Sequence, residues 1–391
     1  MILPRSDNGK NSEGLSGQAD LKANRTVVWW IDHLGHGGAQ TSLVELIEGL
    51  SSREVAHCVV VLNNVVHQPY LNRLRKCGAV VRVVGKRALL SGIGFVATWW
   101  WVRSKRFDCA VTFLFFADTL GVILSRLGRV PRIISCQRST NNHYLPWQKW
   151  VLSSTLSLTN LIIVNSSSLV DPVRVYVPRR LPIKIISTGI KENSDLGEET
   201  SKKIRLELGV PMSAPLIGGI GRLSHEKGFD IAIQAIPFLK TKSAQLIIVG
   251  AGPDKEELYR LGEKLNVSER IHFVGYRENV RHILRAMDVC TQLSRFEGLP
   301  VALLEAVEVG CPVVTTGVGG IRDVIVNNDY GWLVPEDDSM LIARAIDEAI
   351  QDKKLASQKT KKARQHLIKN FSFAKMLIAW QGVLDVSTKA D

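Results

Sequence analysis

Apolar residues along this chain gather in short continuous runs, and between those runs they recur at helical spacing. In the first half the runs are Thr26–Ile31, His57–Leu62, Val80–Val84, Cys109–Phe113, Arg132–Cys136, Leu161–Asn165 and Ile183–Ser187. Continuous apolar runs suit strands buried on both faces, and helices between them predict parallel βα units in a doubly wound sheet. After the first run comes the loop Asp32–Gly38 and then a helix from about Ala39 to Leu50. Six further runs repeat the pattern: Pro215–Ile220, Ala244–Val249, Ile271–Val274, Asp288–Thr291, Pro312–Thr315 and Gly331–Val334. The fold class is therefore α/β, with two Rossmann-like domains at 25–187 and 205–370. A polar stretch at 188–204 predicts the linker, residues 1–24 read as a disordered tail, and 371–391 hold a last helix, Phe371–Leu384.

Length agrees with this division, since 391 residues can form two domains with proper cores. The six cysteines have no paired spacing and mostly fall in apolar runs, which points to reduced core thiols and a cytoplasmic setting. Charge changes the picture more. Residues 1–190 hold 23 Lys and Arg against 10 Asp and Glu, whereas 191–391 hold 27 against 27. The whole excess of +13 lies in the first half and suits an anionic partner, either a membrane surface or an acidic saccharide. Nucleic acid is not expected, because no nucleic-acid-binding motif accompanies the charge. The first 25 residues lack the apolar segment of a signal peptide. The longest apolar run, Ala88–Val102, is shorter than the roughly 20 residues a spanning helix needs. Within Ser91–Arg106, Trp99, Trp100 and Trp101 precede VRSKRF. That composition suits a membrane interface, and it also suits a partly buried crossover helix, the reading we favour.

Two carboxylates, Glu297 and Glu305, stand eight positions apart in FEGLPVALLEAVEVGCP. Pro300 predicts the first turn of a helix that Gly310 and Pro312 end, with Glu297 at its amino end and Glu305 about two turns in. Free amides of Gly298 and Leu299 would favour a phosphate there, and the carboxylates would favour sugar hydroxyls. Taken alone, the pair reads equally well as a helix cap and a buried structural acid. In GIGRLSHEKGFD, Arg222 and Lys227 stand five apart in a loop entering a helix, which suits a diphosphate or a solvated surface. Gly37 and Gly38 lie between strand and helix, where glycine lets backbone amides approach an anion or simply forms a tight turn. The segment VGAGPDKEEL is a partial dinucleotide fingerprint with Lys255 at the third glycine position, so Gly250 and Gly252 are read as packing and turn positions.

From Glu297 to Pro335 the chain resembles the retaining glycosyltransferases of GT-B fold known as group 1 or family 4, whose signature is a Glu-x7-Glu motif. GRLSHEKG and GHGGAQ are similar to two further elements of that family. The resemblance covers about 26–385 and is dense only in the second half. It implies a nucleotide sugar, a UDP-sugar, held by the second domain, with a saccharide or lipid-linked acceptor on the first. Arg222 and Lys227 would bind the diphosphate, Glu305 the ribose, and Glu297 the donor sugar. Gly37, Gly38, Gly298 and Leu299 would support the phosphates, and the backbone of Tyr276 and Arg277 the base. The implied reaction is hexosyl transfer with retention, without cofactor or metal, in bacterial surface polysaccharide or lipopolysaccharide assembly on the cytoplasmic membrane face. The last helix would cross back to the first domain. The family's acceptor-side histidines are replaced by Phe113 and Phe116, leaving Asp118, Arg138 and Ser139 as polar candidates. That departure motivates two alternatives, a non-catalytic sugar-nucleotide-binding protein and a nucleotide-sugar epimerase.

Overall fold

The computed structural model describes residues 25–51, 55–140, 144–192 and 198–384, so the expected tail at 1–24 lies outside the described residues. In the first half the apolar runs become β1 (Arg25–Ile31), β2 (Val55–Val61), β3 (Val80–Val83), β4 (Cys109–Phe113), β5 (Arg132–Gln137), β6 (Leu161–Val164) and β7 (Ile183–Ile185). They form one sheet in the order β3-β2-β1-β4-β5-β6-β7, and every pairing is parallel. The second half gives β8 (Leu216–Ile220), β9 (Gln245–Val249), β10 (Ile271–Gly275), β11 (Val289–Gln292), β12 (Val313–Thr316) and β13 (Trp332–Val334). Their order is β10-β9-β8-β11-β12-β13, again all parallel. The central strands are mostly apolar because helices cover both faces; Val27 to Ile31 of β1 are all buried.

Strand order reverses between β1 and β4 in the first sheet and between β8 and β11 in the second. Loops leaving the strands part at these points and open a crevice at the carboxyl ends. The two crevices share one cavity, so the topology itself decides which loops can reach a common ligand.

Two segments tie the halves together. Helix Glu198–Glu207 begins inside the stretch expected as linker, runs three residues past its expected end at 204 and packs on the second domain, so the second domain starts earlier than the polar composition suggested. Ile204 is buried there, and Arg205 donates to the Asp288 carboxylate at 2.7 Å. At the other end, helix Phe373–Leu384 buries Met376, Trp380 and Val383 in the core of the first domain, with Trp380 5.8 Å from Trp29 between ring centroids. The two chain crossings meet where Ile190 donates to the Phe371 carbonyl at 2.8 Å and Phe373 donates to the Ile190 carbonyl at 3.1 Å.

Candidate active site between the two sheets

The interdomain cavity has a volume of about 1020 Å³. Its walls include Gly37 and Gly38 after β1, Leu114 and Asp118 after β4, Arg222 and Lys227 after β8, Tyr276 and Arg277 after β10, and Glu297, Gly298 and Leu299 after β11. Arg138, Ser139 and Glu305 line it as well. Residues far apart in sequence are thus brought together by the rule that loops at the carboxyl edges of parallel strands converge.

Glu297 does not cap a helix. The helix runs Val301–Glu308 and Pro300 occupies its cap position with extended backbone, so proline precedes the first turn. Glu297 lies in the loop three residues earlier, almost fully buried. Its Oε1 accepts from Lys227 Nζ at 2.6 Å, Ser294 Oγ at 2.8 Å and Gln292 Nε2 at 3.1 Å. One carboxylate oxygen therefore holds a cation and two neutral donors, which fixes Lys227 against the second sheet. Arg222 differs: it is exposed to the cavity, with no carboxylate at ion-pair distance among the described residues.

Glu305, within the helix, sits 3.7 Å from Arg281 Nε. Burial outweighs that neighbour and pushes its carboxyl up to about 7, so near neutral pH it exchanges a proton readily. Gly298 marks a close approach of the two domains. A Cβ there would stand 2.1 Å from the Arg138 carbonyl oxygen, a separation only glycine permits. Nearby, Asp323 accepts from Ser166 Oγ at 2.8 Å and from Ser167 N at 3.0 Å, joining second domain to first. Also lining the cavity, His36 lies against Tyr276 with ring centroids 3.6 Å apart and planes tilted by 34°, and His67 Nε2 meets Glu278 Oε1 at 3.2 Å.

The acceptor-side candidates behave differently from one another. Asp118 is buried, and its carboxylate takes hydrogen bonds from Thr112, Ser135 and Gln137. Burial still pushes it up to about 7. Arg138 directs Nη2 to Ser42 Oγ at 3.0 Å and Thr188 Oγ1 at 2.7 Å, and burial lowers its guanidinium to about 10. Phe113 is in the core beside Trp29, and Phe116 lies under Lys86 Nζ at 3.7 Å, so neither phenylalanine lines the cavity.

Several lining residues gave no local signal in the sequence. Glu45, one turn below Thr41, and Arg281 reach the cavity from helices whose patterns are ordinary. Asp32 accepts from the amides of Phe116 at 3.0 Å and Ala117 at 2.7 Å, pinning the loop after β1 to the chain after β4. Burial pushes it up to about 6. The rejected fingerprint is explained by packing: a Cβ on Gly250 would stand 1.8 Å from the Gly221 carbonyl oxygen. Among the described residues no group of three His, Cys, Asp or Glu side chains could hold a metal ion.

Two parallel-sheet domains around a cleft lined by Arg222, Lys227, Glu297 and Glu305 define a GT-B protein. Residues 200–366 match the model of the glycosyl transferases group 1, and residues 36–193 match that of glycosyltransferase family 4. The chain belongs to this glycosyltransferase family. It is 31% identical, over 43% of its length and 49% of the relative's, to a lipopolysaccharide core biosynthesis glycosyltransferase of Rhizobium meliloti. To the N-acetyl-alpha-D-glucosaminyl L-malate synthase of Bacillus anthracis it is 27% identical, over 60% of this chain and 64% of that one. The chain spans about half to two thirds of the length of these curated relatives. In fold it is similar to Anabaena HepE, solved with UDP and glucose, with a TM-score of 0.81 and 20% identity. That likeness covers 92% of this chain and 99% of the other.

Proposed function

We propose that the chain transfers a hexosyl group from a UDP-sugar to a saccharide or lipid-linked acceptor, with retention of configuration, in surface polysaccharide or lipopolysaccharide assembly. The observation that carries the reading is one cavity lined by two cations, Arg222 and Lys227, and two carboxylates, Glu297 bonded to Lys227 and Glu305 in the helix that follows. Arg222 and Lys227 would take the diphosphate, and Glu305 the ribose diol two turns along the helix. Glu297, shared with Lys227, would accept from donor-sugar hydroxyls. In the transfer the bond from the anomeric carbon to the diphosphate oxygen breaks. The acceptor oxygen bonds that carbon on the same face and yields its proton to the departing phosphate. Negative charge develops on that phosphate, so preorganised cations act mainly in the transition state. The basic first half further supports work at the cytoplasmic face of an anionic membrane.

A second reading is a sugar-nucleotide binder without transfer. It is favoured by Asp118, whose carboxylate is already occupied by three donors and offers no free base to an acceptor. The test is thermal shift against nucleoside diphosphates and nucleotide sugars, followed by product analysis with labelled donor. Stabilisation by UDP and transfer of label to saccharide or lipid are expected. Binding without transfer would establish the second reading. An isomerised donor would identify an epimerase, and no nucleotide binding would overturn the donor site.

A further inference from the structure

We infer that the outward face of helices Ile93–Lys105 and Pro146–Leu156 docks on an anionic lipid bilayer and presents the acceptor side of the cleft to the headgroups. The lipid-linked nature of the acceptor rests on the proposed function; the docking surface does not.

Both helices touch the short helix Val122–Leu127, and together they form one layer on the face of the first sheet opposite the C-terminal helix. Of three consecutive tryptophans, Trp99 and Trp101 turn inward, Trp101 packing on Phe107 at 5.4 Å and under Arg82. Trp100 turns out, 65% exposed, on the same helix face as Ile93, 84% exposed, and Val96. The second helix adds Trp147 and Trp150, 59% and 71% exposed. Single exposed apolar residues are ordinary, but three outward tryptophans alongside exposed aliphatics on one layer are not.

Charge selects the partner. Residues 84–184 contain 14 Lys and Arg and only three acids, Asp108, Asp118 and Asp171. Asp118 is buried, and Asp108 is held by the Thr26 amide and hydroxyl. Exposed cations at the helix ends include Lys105, Arg106, Arg126 and Arg129. A second copy of so basic a face would repel the first. Nucleic acid would use the cations and stack on indoles, yet gains nothing from Ile93 and Val96. A bilayer interface uses all three classes: phosphates for the cations, the headgroup zone for indoles, and acyl chains for aliphatics.

Position links this surface to the site. Each helix leads back to the start of the next strand, so its first turn lies at the carboxyl edge of the sheet, beside the cleft. Tyr144 lines the cleft, and Trp147 follows three residues later on the exposed face. A headgroup-borne acceptor at the bilayer would therefore enter at this rim.

The test is co-sedimentation of the whole chain with phosphatidylcholine vesicles, with and without phosphatidylglycerol, across a salt series. Wild type is expected to sediment only with phosphatidylglycerol and to be released by salt. Replacing Trp100, Trp147 and Trp150 together by Ala should weaken binding at least about tenfold, while the UDP-induced thermal shift stays as in wild type. Lys105→Glu with Arg126→Glu should do likewise. Wild type remaining in solution, or a triple variant that binds as well, would overturn the inference. So would a wild-type dimer that needs the three tryptophans. Vesicle binding without any UDP shift would support the docking face and defeat the donor reading instead.

Discussion

Lys227 and Glu297 show how one contact can serve both architecture and chemistry. The pair is largely buried, so removing one member strands the charge of the other, at a cost of roughly 3–5 kcal/mol. Lys227→Ala is expected to lower stability on that order in denaturant titration, and adding Glu297→Gln should recover much of it. Activity should not recover, because both variants lack the cation that meets the leaving phosphate. For Arg222→Ala, free of that entanglement, the fold should stay intact while turnover drops about a hundredfold, equivalent to roughly 3 kcal/mol. Glu305 brings a pH signature. Its folded carboxyl titrates at about 7 against an ordinary 4.5. Between those values the folded state holds a proton that the unfolded state has lost. Stability from this group is thus full below 4.5 and falls as pH rises to 7. Melting temperatures measured from pH 4.5 to 7 should fall less steeply for Glu305→Gln than for wild type. Identical slopes would remove Glu305 from the account.

At the scale of elements, the close approach at Gly298 is the most exposed to test. Gly298→Ala would drive a methyl group into the Arg138 carbonyl, so the domains could not reach their present separation. Turnover is expected to fall at least about tenfold, and small-angle scattering should report a larger radius of gyration. Unchanged values for both would show that the loops yield without consequence. This contact was invisible in the sequence, although both strands bounding it were legible to within a residue or two. Strands buried on both faces declare themselves as continuous apolar runs, as β4 did at Cys109–Phe113, because burial is a local compositional demand. Glu297, Arg222 and Lys227 were legible through spacing and resemblance. Their pairing was not, since it spans 70 positions and depends on which loops converge. Asp118 shows the same limit: its partners come from β4 and β5, and nothing beside it in the chain marks it as satisfied. Trp147 and Trp150 sit in a helix of unremarkable composition, and only the fold shows which way they face.

For the molecule as a whole, the C-terminal helix belongs by sequence to the second domain and by packing to the first. Trp380→Ala would open a cavity beside Trp29 and is expected to cost about 3–5 kcal/mol. Calorimetry should then separate the unfolding of the first domain, at lower temperature, from that of the second. A single unshifted transition would mean that the helix merely rests on the surface. The chain passes between the domains twice, near residue 190 and near residue 372, and the two passages are bonded to each other through Ile190, Phe371 and Phe373. A lone strap would let one body swivel freely against the other. Two straps laced side by side leave a door on a pin: the bodies can swing, but they cannot slide or spin. The two passages meet at Ile190, which makes that point the pivot about which the cleft would open.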